Sequence, residues 1–177
     1  MQWWIWLIIV GTIFIISVGI LVWIIVVSNK LVVLKNAVDR NFPVINSKIK
    51  QYCEKVNAIV DYINKKEGKK GKEGKALKKE VADCLANEGM INRAIAQKKI
   101  AEHTLKYIKT EYKKAELKSS KKLVKDAKEL DEIQLQLTNA IEKYNRCIEK
   151  YNKLRKSFPS NIISERFKFV ERSQWKI

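Results

Sequence analysis

The feature that most constrains this chain is an uncharged apolar run, interrupted only by Gly11, Thr12, Ser17 and Gly19, that extends from Trp3 to Val27. A bilayer core needs about 20 apolar residues in a helix. A cleaved signal peptide would have a basic start, a shorter apolar stretch and a small-residue cleavage site, and none of these is present. Residues 1–29 are therefore predicted to be an uncleaved transmembrane anchor with a very short extracytoplasmic N-terminus.

The flanks of the apolar run predict its orientation. Met1 and Gln2 have no charged side chain, whereas Lys30, Lys35 and Arg40 follow the run closely. The positive-inside rule places the side that follows the run in the cytoplasm. The predicted protein is thus a single-pass cell-membrane protein with most of its chain cytoplasmic. Its outer end carries three indoles suited to the headgroup region, namely Trp3, Trp4 and Trp6.

Every ionisable side chain lies outside residues 1–29. The chain has 36 lysines and arginines against 19 aspartates and glutamates, which gives a net charge of +17. The predicted cytoplasmic part is therefore strongly basic. Three classes of partner carry the opposite charge: anionic lipid headgroups, nucleic acid and acidic proteins.

Apolar residues then recur at alternating steps of three and four, a spacing typical of amphipathic helices. The pattern predicts helices over about 30–66, 76–112 and 121–158, with a kink or restart of the first one at Pro43. The glycine-rich stretch from Lys65 to Lys75 is predicted to be a loop. No segment reads as a strand. The predicted fold is all-α, with one N-terminal transmembrane helix followed by an antiparallel up-and-down bundle of long helices.

The predicted bundle occupies residues 30–160, and the remaining residues form a tail. This tail, 161–177, carries several large apolar residues among its charges. Such residues favour partial docking, including a short helix on the bundle end, over a fully disordered tail.

Lysines cluster at the two predicted turns. The first turn should lie about 50 Å along an upright helix from the membrane, far beyond the Debye length of about 8 Å. Its lysines form a predicted distal basic loop: Lys65, Lys66, Lys69, Lys70, Lys72 and Lys75. The second turn should return to the bilayer, where each lysine contributes about 1 kcal/mol. The predicted membrane-proximal basic residues are Lys30, Lys35, Lys113, Lys114, Lys118, Lys121 and Lys122.

Two Tyr-Asn pairs repeat seven residues apart near the end of the last predicted helix. The motif residues are Tyr144, Asn145, Tyr151, Asn152, Phe158, Pro159 and Asn161. The spacing puts both tyrosines on one helix face, where core packing is favoured over contact with another protomer. In the packing interpretation, the asparagines bind main-chain ends or a neighbouring helix.

This motif resembles the LemA family, as does the stretch SNKLVVLKNAVDRNF that begins at Ser28. The middle of the chain departs from the family pattern. Residues 51–62 replace a Leu-Ile-Pro-Asn-Leu stretch, and residues 65–75 replace a His-Glu pair. The resemblance implies a bacterial membrane protein with an extracytoplasmic N-terminus and an antiparallel helical bundle, one relative of which participates in magnetosome formation. It implies no established enzymatic activity.

The sequence offers no catalytic, cofactor or metal motif. His103 is the only histidine, and Cys53, Cys84 and Cys147 are widely spaced without a C-x-x-C pair. No GxGxxG, Walker, GxSxG or HExxH pattern occurs. We therefore expect no enzyme, no cofactor, a surface or rim position for His103, and cysteines that are ordinary core or surface thiols.

The expected function is a non-catalytic one: a scaffold or assembly protein that works as an oligomer at the cytoplasmic face of a bacterial membrane. The alternative is a membrane-tethered module whose basic loop binds nucleic acid or an acidic protein. The basic loop lacks interleaved aromatic residues, which makes nucleic acid the less favoured partner. A solvated charge run is the simpler interpretation of that loop.

Overall fold

A computed structural model of the protein describes residues 3–67, 71–87, 89–112 and 120–175. These residues form five helices and no strand: α1 (Trp3–Glu67), α2 (Lys72–Ala86), α3 (Met90–Tyr112), α4 (Lys121–Lys156) and α5 (Ser160–Arg166). The all-α fold, with one long apolar helix at the N-terminus, is confirmed.

Helix α1 continues through Pro43, where the sequence predicts a kink or a restart. A proline inside a helix removes the hydrogen bond to the carbonyl four residues earlier, here that of Asp39. Pro43 and Asp39 are both exposed, so water can bind this carbonyl. The apolar run and the first predicted cytoplasmic helix therefore belong to one helix.

The predicted second helix, 76–112, is two helices that pack on each other, α2 and α3. Helix α2 ends at Ala86. The next residue, Asn87, is the C-cap: its main chain is extended, and its side-chain amide donates a 2.9 Å hydrogen bond to the Asp83 carbonyl. Gly89 lies between the helices, in a bend. The extra reversal makes four long helices where the sequence predicts three.

Helix α2 also begins earlier than predicted, at Lys72, so that Lys72 and Lys75 belong to a helix. Gly74 is buried, and a β-carbon there would lie 3.1 Å from both the Tyr107 hydroxyl and Val60 Cγ1. A glycine in this helix thus permits a close approach of α2 to α1 and α3, which outweighs its low helix propensity.

The chain forms two compact units, and α1 and α4 contribute to both. The first unit comprises residues 1–39 and 146–173, and the second comprises 40–145 and 174–177. The core of the first unit contains Val27 and Leu31 of α1, Tyr151 of α4 and Ile163 of α5. Further side chains pack against this core: Trp23, Ile24, Leu34, Leu154 and Phe169.

In the second unit, the predicted apolar seams form the core. Helix α1 contributes Ile45, Ile49, Tyr52, Val56, Ile59 and Ile63, and α4 contributes Leu123, Leu130, Leu137 and Ile141. Contacts between the two helices fix their direction: Lys48 donates to Gln136 at 2.7 Å, and Lys55 contacts Asp126 at 2.7 Å. Residue numbers fall along α4 as they rise along α1, so the pair is antiparallel.

Candidate functional site

The Tyr-Asn repeat binds the C-terminal tail of the same chain. In the first unit, the Asn152 amide donates a 2.8 Å hydrogen bond to the Arg172 carbonyl, and the Arg172 N–H donates a 3.2 Å bond to Asn152 Oδ1. The hydroxyl of Tyr151, which is buried, donates to the Val170 carbonyl at 2.9 Å. Burial raises the pKa of this tyrosine. Main-chain groups of the tail are thereby satisfied without a partner strand.

Charged side chains add to the binding of the tail in this unit. Glu171 accepts from Arg155 at 3.0 Å and from Lys156 at 2.6 Å. The Lys156 bond, with further contributions from both cations, holds the pKa of this carboxyl below its ordinary value. Arg172 also reaches Asp39 of α1, at 3.2 Å. The tail thus connects α4 to α1.

A second asparagine binds the tail within the second unit. The Asn145 amide donates to the Trp175 carbonyl at 2.8 Å, and the Trp175 N–H donates to Asn145 Oδ1 at 2.8 Å. The Trp175 indole is buried, 6.5 Å from the Phe42 ring, which lies 6.1 Å from the Tyr144 ring. Both asparagines therefore make the same pair of bonds to main-chain groups.

The spacing of the repeat suits this role. Seven residues advance about 10.5 Å along a helix, and three residues advance about 10 Å along an extended chain. Asn145 and Asn152 are seven residues apart on α4, and their partners, Trp175 and Arg172, are three apart. The sequence predicts that the asparagines bind main-chain ends or a neighbouring helix, but it does not identify the tail as their partner.

The rest of the motif forms the corner between α4 and α5. The Phe158–Pro159 peptide bond is cis, and both residues are exposed. Asn161 is half-buried. Ser164 is buried, and its hydroxyl donates to the carbonyls of Arg155 and Asn161 at 2.9 and 2.8 Å.

The apolar run of α1 carries no packing partner over residues 3–22, all of which are exposed. At 1.5 Å per residue, this bare segment is about 30 Å long. Its two hydroxyl side chains bond to carbonyls of the preceding turn: Thr12 to Ile8 and Ser17 to Ile13, each at 2.8 Å. Trp3, Trp4 and Trp6 lie at its start, and Lys30 and Lys35 are exposed beyond its end.

The structure corrects the position of the second basic group. Lys122 Nζ lies 4.7 Å from the centre of the Tyr62 ring, and the Tyr62 hydroxyl is 2.8 Å from Ser120 Oγ. Tyr62 belongs to the end of α1 opposite the apolar run. Lys121 and Lys122, predicted to be membrane-proximal, therefore lie at the distal end of α1.

The extra turn at Gly89 explains the position of Lys121 and Lys122, because each added reversal exchanges the ends of all later helices. Lys65 and Lys66 end α1, so they share this distal end with Lys121 and Lys122. The other predicted members of the two groups, Lys69, Lys70, Lys113, Lys114 and Lys118, lie outside the described residues.

An interhelical ion cluster that the sequence analysis misses lies in the second unit. Lys55 contacts Asp126 at 2.7 Å and also binds Glu129, and the Lys55 and Asp126 side chains are 19% and 12% exposed. Its hydrogen bond to Asp126, and then that to Glu129, raise the pKa of Lys55. The sequence could have indicated this cluster, because a lysine and a carboxylate lie at the edges of two apolar seams that face each other.

Helices α2 and α3 are joined by a surface ion network. Glu80 accepts from Lys99 at 3.0 Å and from His103 Nδ1 at 2.8 Å. Burial raises the pKa of Glu80, but these two partners outweigh it and the pKa is lowered. His103 is half-exposed and borders a groove of about 170 Å³ between the helices. Its surface position is as expected.

The described residues contain no group of three or more His, Cys, Asp and Glu side chains that could hold a metal. Cys53 and Cys84 are buried thiols, and Cys147 is a half-buried thiol. The hydrogen bond with the neighbouring Cys84, and then burial, raise the pKa of Cys53. The two buried thiols are thus core residues, as the sequence suggests.

The described chain is a helical protein with one helix long and apolar enough to cross a membrane and with a C-terminal tail held by a Tyr-Asn repeat. The chain belongs to the LemA family, whose model matches residues 44–177. The match includes the Tyr-Asn repeat and the whole tail, whereas the stretch beginning at Ser28 precedes it. No curated protein matches the sequence.

Proposed function

We propose that this protein is a membrane-anchored scaffold that assembles into homo-oligomers at the cytoplasmic face of a bacterial membrane. The bare apolar segment 3–22 carries the proposal, because about 30 Å of exposed apolar helix equals the thickness of a bilayer core. Such a surface would drive aggregation in water. Its internally bonded Thr12 and Ser17 hydroxyls suit an environment without water.

The remaining chain supports a structural role rather than catalysis. Half-buried polar side chains bind the tail, as Asn152 does, or connect helices, as Lys55 does. Exposed Lys30 and Lys35 favour a cytoplasmic location for everything after the anchor. Belonging to the LemA family agrees with this reading.

The mass and symmetry of the full-length protein in a mild detergent test assembly. We expect a discrete oligomer, and a monomer at micromolar concentration would contradict the proposal. Orientation is tested separately with epitope tags before Met1 and after Ile177. Protease added to intact cells should remove the first tag only, and removal of the second would contradict the cytoplasmic placement.

A second function, binding of nucleic acid or an acidic protein, is favoured by one observation. Lys65, Lys66, Lys121 and Lys122 share the distal end of α1, which combines two predicted basic groups. Full-length protein in nanodiscs should then bind a fluorescent single-stranded oligonucleotide or a poly-glutamate peptide with strong salt dependence. Lys121→Gln with Lys122→Gln should weaken binding more than Lys30→Gln with Lys35→Gln, the proximal control that loses the same number of charges.

A further inference from the structure

The corner between α4 and α5 exposes large apolar side chains and buries small polar ones. Phe158 is 82% exposed, and Ile162 and Phe167 are each 57% exposed. Ser160 and Ser164 face inward together with Ile163. Seven-residue helices of a water-soluble protein usually show the opposite arrangement, so this inversion indicates contact of the outer face with an apolar medium.

The corner adjoins the position where the bare segment of α1 ends. Ile163 of α5 belongs to the core formed with Val27 and Leu31, and Trp23 and Ile24 pack against that same core. Residues 3–22 are all exposed, so Trp23 and Ile24 are the first residues of α1 that other helices cover. Helix α5 therefore packs beside the part of α1 at which the bare segment ends.

The charges around the corner match an anionic membrane surface. Residues 146–173 contain eight basic side chains against three acidic ones. Lys153, Arg166 and Lys168 are exposed, and within the described part of the chain none of them has an ion-pair partner. Aromatic and aliphatic side chains flanked by such cations are typical of segments that lie in the headgroup region.

We propose that Phe158, Ile162 and Phe167 insert into the headgroup region of the leaflet from which α1 emerges, while the neighbouring cations bind anionic phospholipid. This inference rests on the proposed membrane anchor. It assigns the α4–α5 corner a second, interfacial membrane contact beside the spanning helix. Such a contact fixes the bundle against the bilayer, because a single helix alone leaves it free to rotate.

Depth-dependent quenching of a single label tests the insertion. The full chain with Cys147→Ser, and with Ile162→Cys carrying an environment-sensitive fluorophore, is reconstituted into phosphatidylcholine–phosphatidylglycerol vesicles. Lipids spin-labelled near the headgroup should quench the label and its emission should shift to the blue. Vesicles of phosphatidylcholine alone should give less quenching.

Leu135→Cys is the matched control. Leu135 is also apolar and 62% exposed, and it lies sixteen residues before Tyr151, about 24 Å along α4 from the core that Ile163 joins. Its label should be quenched little. Equal quenching at both positions, or none at Ile162, would overturn the inference. A blue shift at Ile162 without lipid quenching would also overturn it, because the corner would then be covered by protein.

Flotation of the same vesicles separates failure of this inference from failure of the anchor. Protein that floats with the vesicles but is not quenched at Ile162 retains its anchor and lacks the interfacial contact. Protein that does not float contradicts the anchor itself. As a second variant, Phe158→Ser, Ile162→Ser and Phe167→Ser together should lower hydrogen-exchange protection of residues 157–168 in anionic nanodiscs but not in detergent. Equal protection in both media for the wild type would count against the insertion.

Discussion

Asn152 binds Arg172 through two hydrogen bonds, as donor to its carbonyl and as acceptor from its N–H. A side-chain amide that pairs with a main-chain amide in this way replaces one rung of a β-ladder. The extended tail therefore has sheet-like main-chain bonds although no described residue belongs to a strand.

Asn152→Ala should loosen the tail without unfolding the helices. Loss of two partly buried hydrogen bonds should cost about 1–2 kcal/mol. Hydrogen exchange of residues 169–175 should accelerate, with little change in the core of α4. Asn139→Ala is the control, because Asn139 is exposed on the same helix. If both variants exchange alike, Asn152 does not hold the tail.

Lys55→Met should destabilise the protein more than its surface position in α1 suggests. It leaves Asp126, whose side chain is 12% exposed, without its cation, which should cost about 2 kcal/mol in thermal unfolding. Lys50→Met removes only an exposed pair with Glu54 and should change stability by less than about 0.5 kcal/mol. Adding Asp126→Asn to Lys55→Met should recover part of the loss, and no recovery would show that the pair is not the cause.

Alkaline pH provides a further test of the same pair. Because the pKa of Lys55 is raised, its contribution is complete below the ordinary lysine value of 10.5 and is lost as pH rises through the folded-state pKa. Burial raises the pKa of Tyr52 to about 12, so the contribution of Tyr52 to stability is also lost as pH rises. Loss of stability above pH 10 should thus be smaller in Lys55→Met and in Tyr52→Phe, and an unchanged slope in both would contradict this assignment.

Acid should weaken the link between α2 and α3. The lowered pKa of Glu80 means that its contribution is present above the ordinary carboxyl value of 4.5 and is lost as pH falls through the folded-state pKa. Glu80→Gln should remove part of this pH dependence, by less than about 1 kcal/mol for a surface network. Glu142→Gln, an exposed change on α4, should leave the melting profile below pH 5 as in the wild type.

Lipid binding should depend on the lysines next to the apolar run. Lys30→Gln with Lys35→Gln should weaken binding to anionic vesicles, since each lysine near the surface contributes about 1 kcal/mol. Lys121→Gln with Lys122→Gln should have little effect, because Lys122 contacts Tyr62 at the distal end of α1. The measurement is the salt concentration that reduces by half the vesicle binding of a fragment without residues 3–22. A larger effect of the second pair would contradict the helix order of the structure.

Periodicity predicts the helices well because their apolar seams become the core. The apolar seam positions are buried, as their three-and-four spacing requires, between Ile45 and Ile63 on α1 and between Leu123 and Ile141 on α4. The same rule misplaced the Lys121–Lys122 group, since Gly89 reads as one weak residue inside a helix but marks a reversal. One missed turn leaves each predicted helix nearly intact, but it exchanges the ends of the bundle at which all later helices begin and finish.

The sequence does not show which residues that are far apart along the chain contact each other. The Tyr-Asn spacing identifies a face of α4, but its partners lie 20 and 30 residues later. Pro43 shows the reverse case: a strong local signal for a helix end does not stop α1, and Asp39, whose carbonyl loses its helical donor there, is an exposed residue. Burial and solvent access therefore decide whether a residue follows its local secondary-structure propensity.

In the proposed membrane-anchored state, the length of the bare segment also gives the protein a preference among membranes. Residues 3–22 span about 30 Å before α1 meets its first packed neighbours at Trp23 and Ile24. A thicker bilayer cannot draw in more of α1 without submerging packed side chains, so hydrophobic mismatch there must be met by local thinning of the bilayer. A thinner bilayer needs only a tilt of the helix. We therefore expect enrichment in the thinner regions of a membrane of mixed composition.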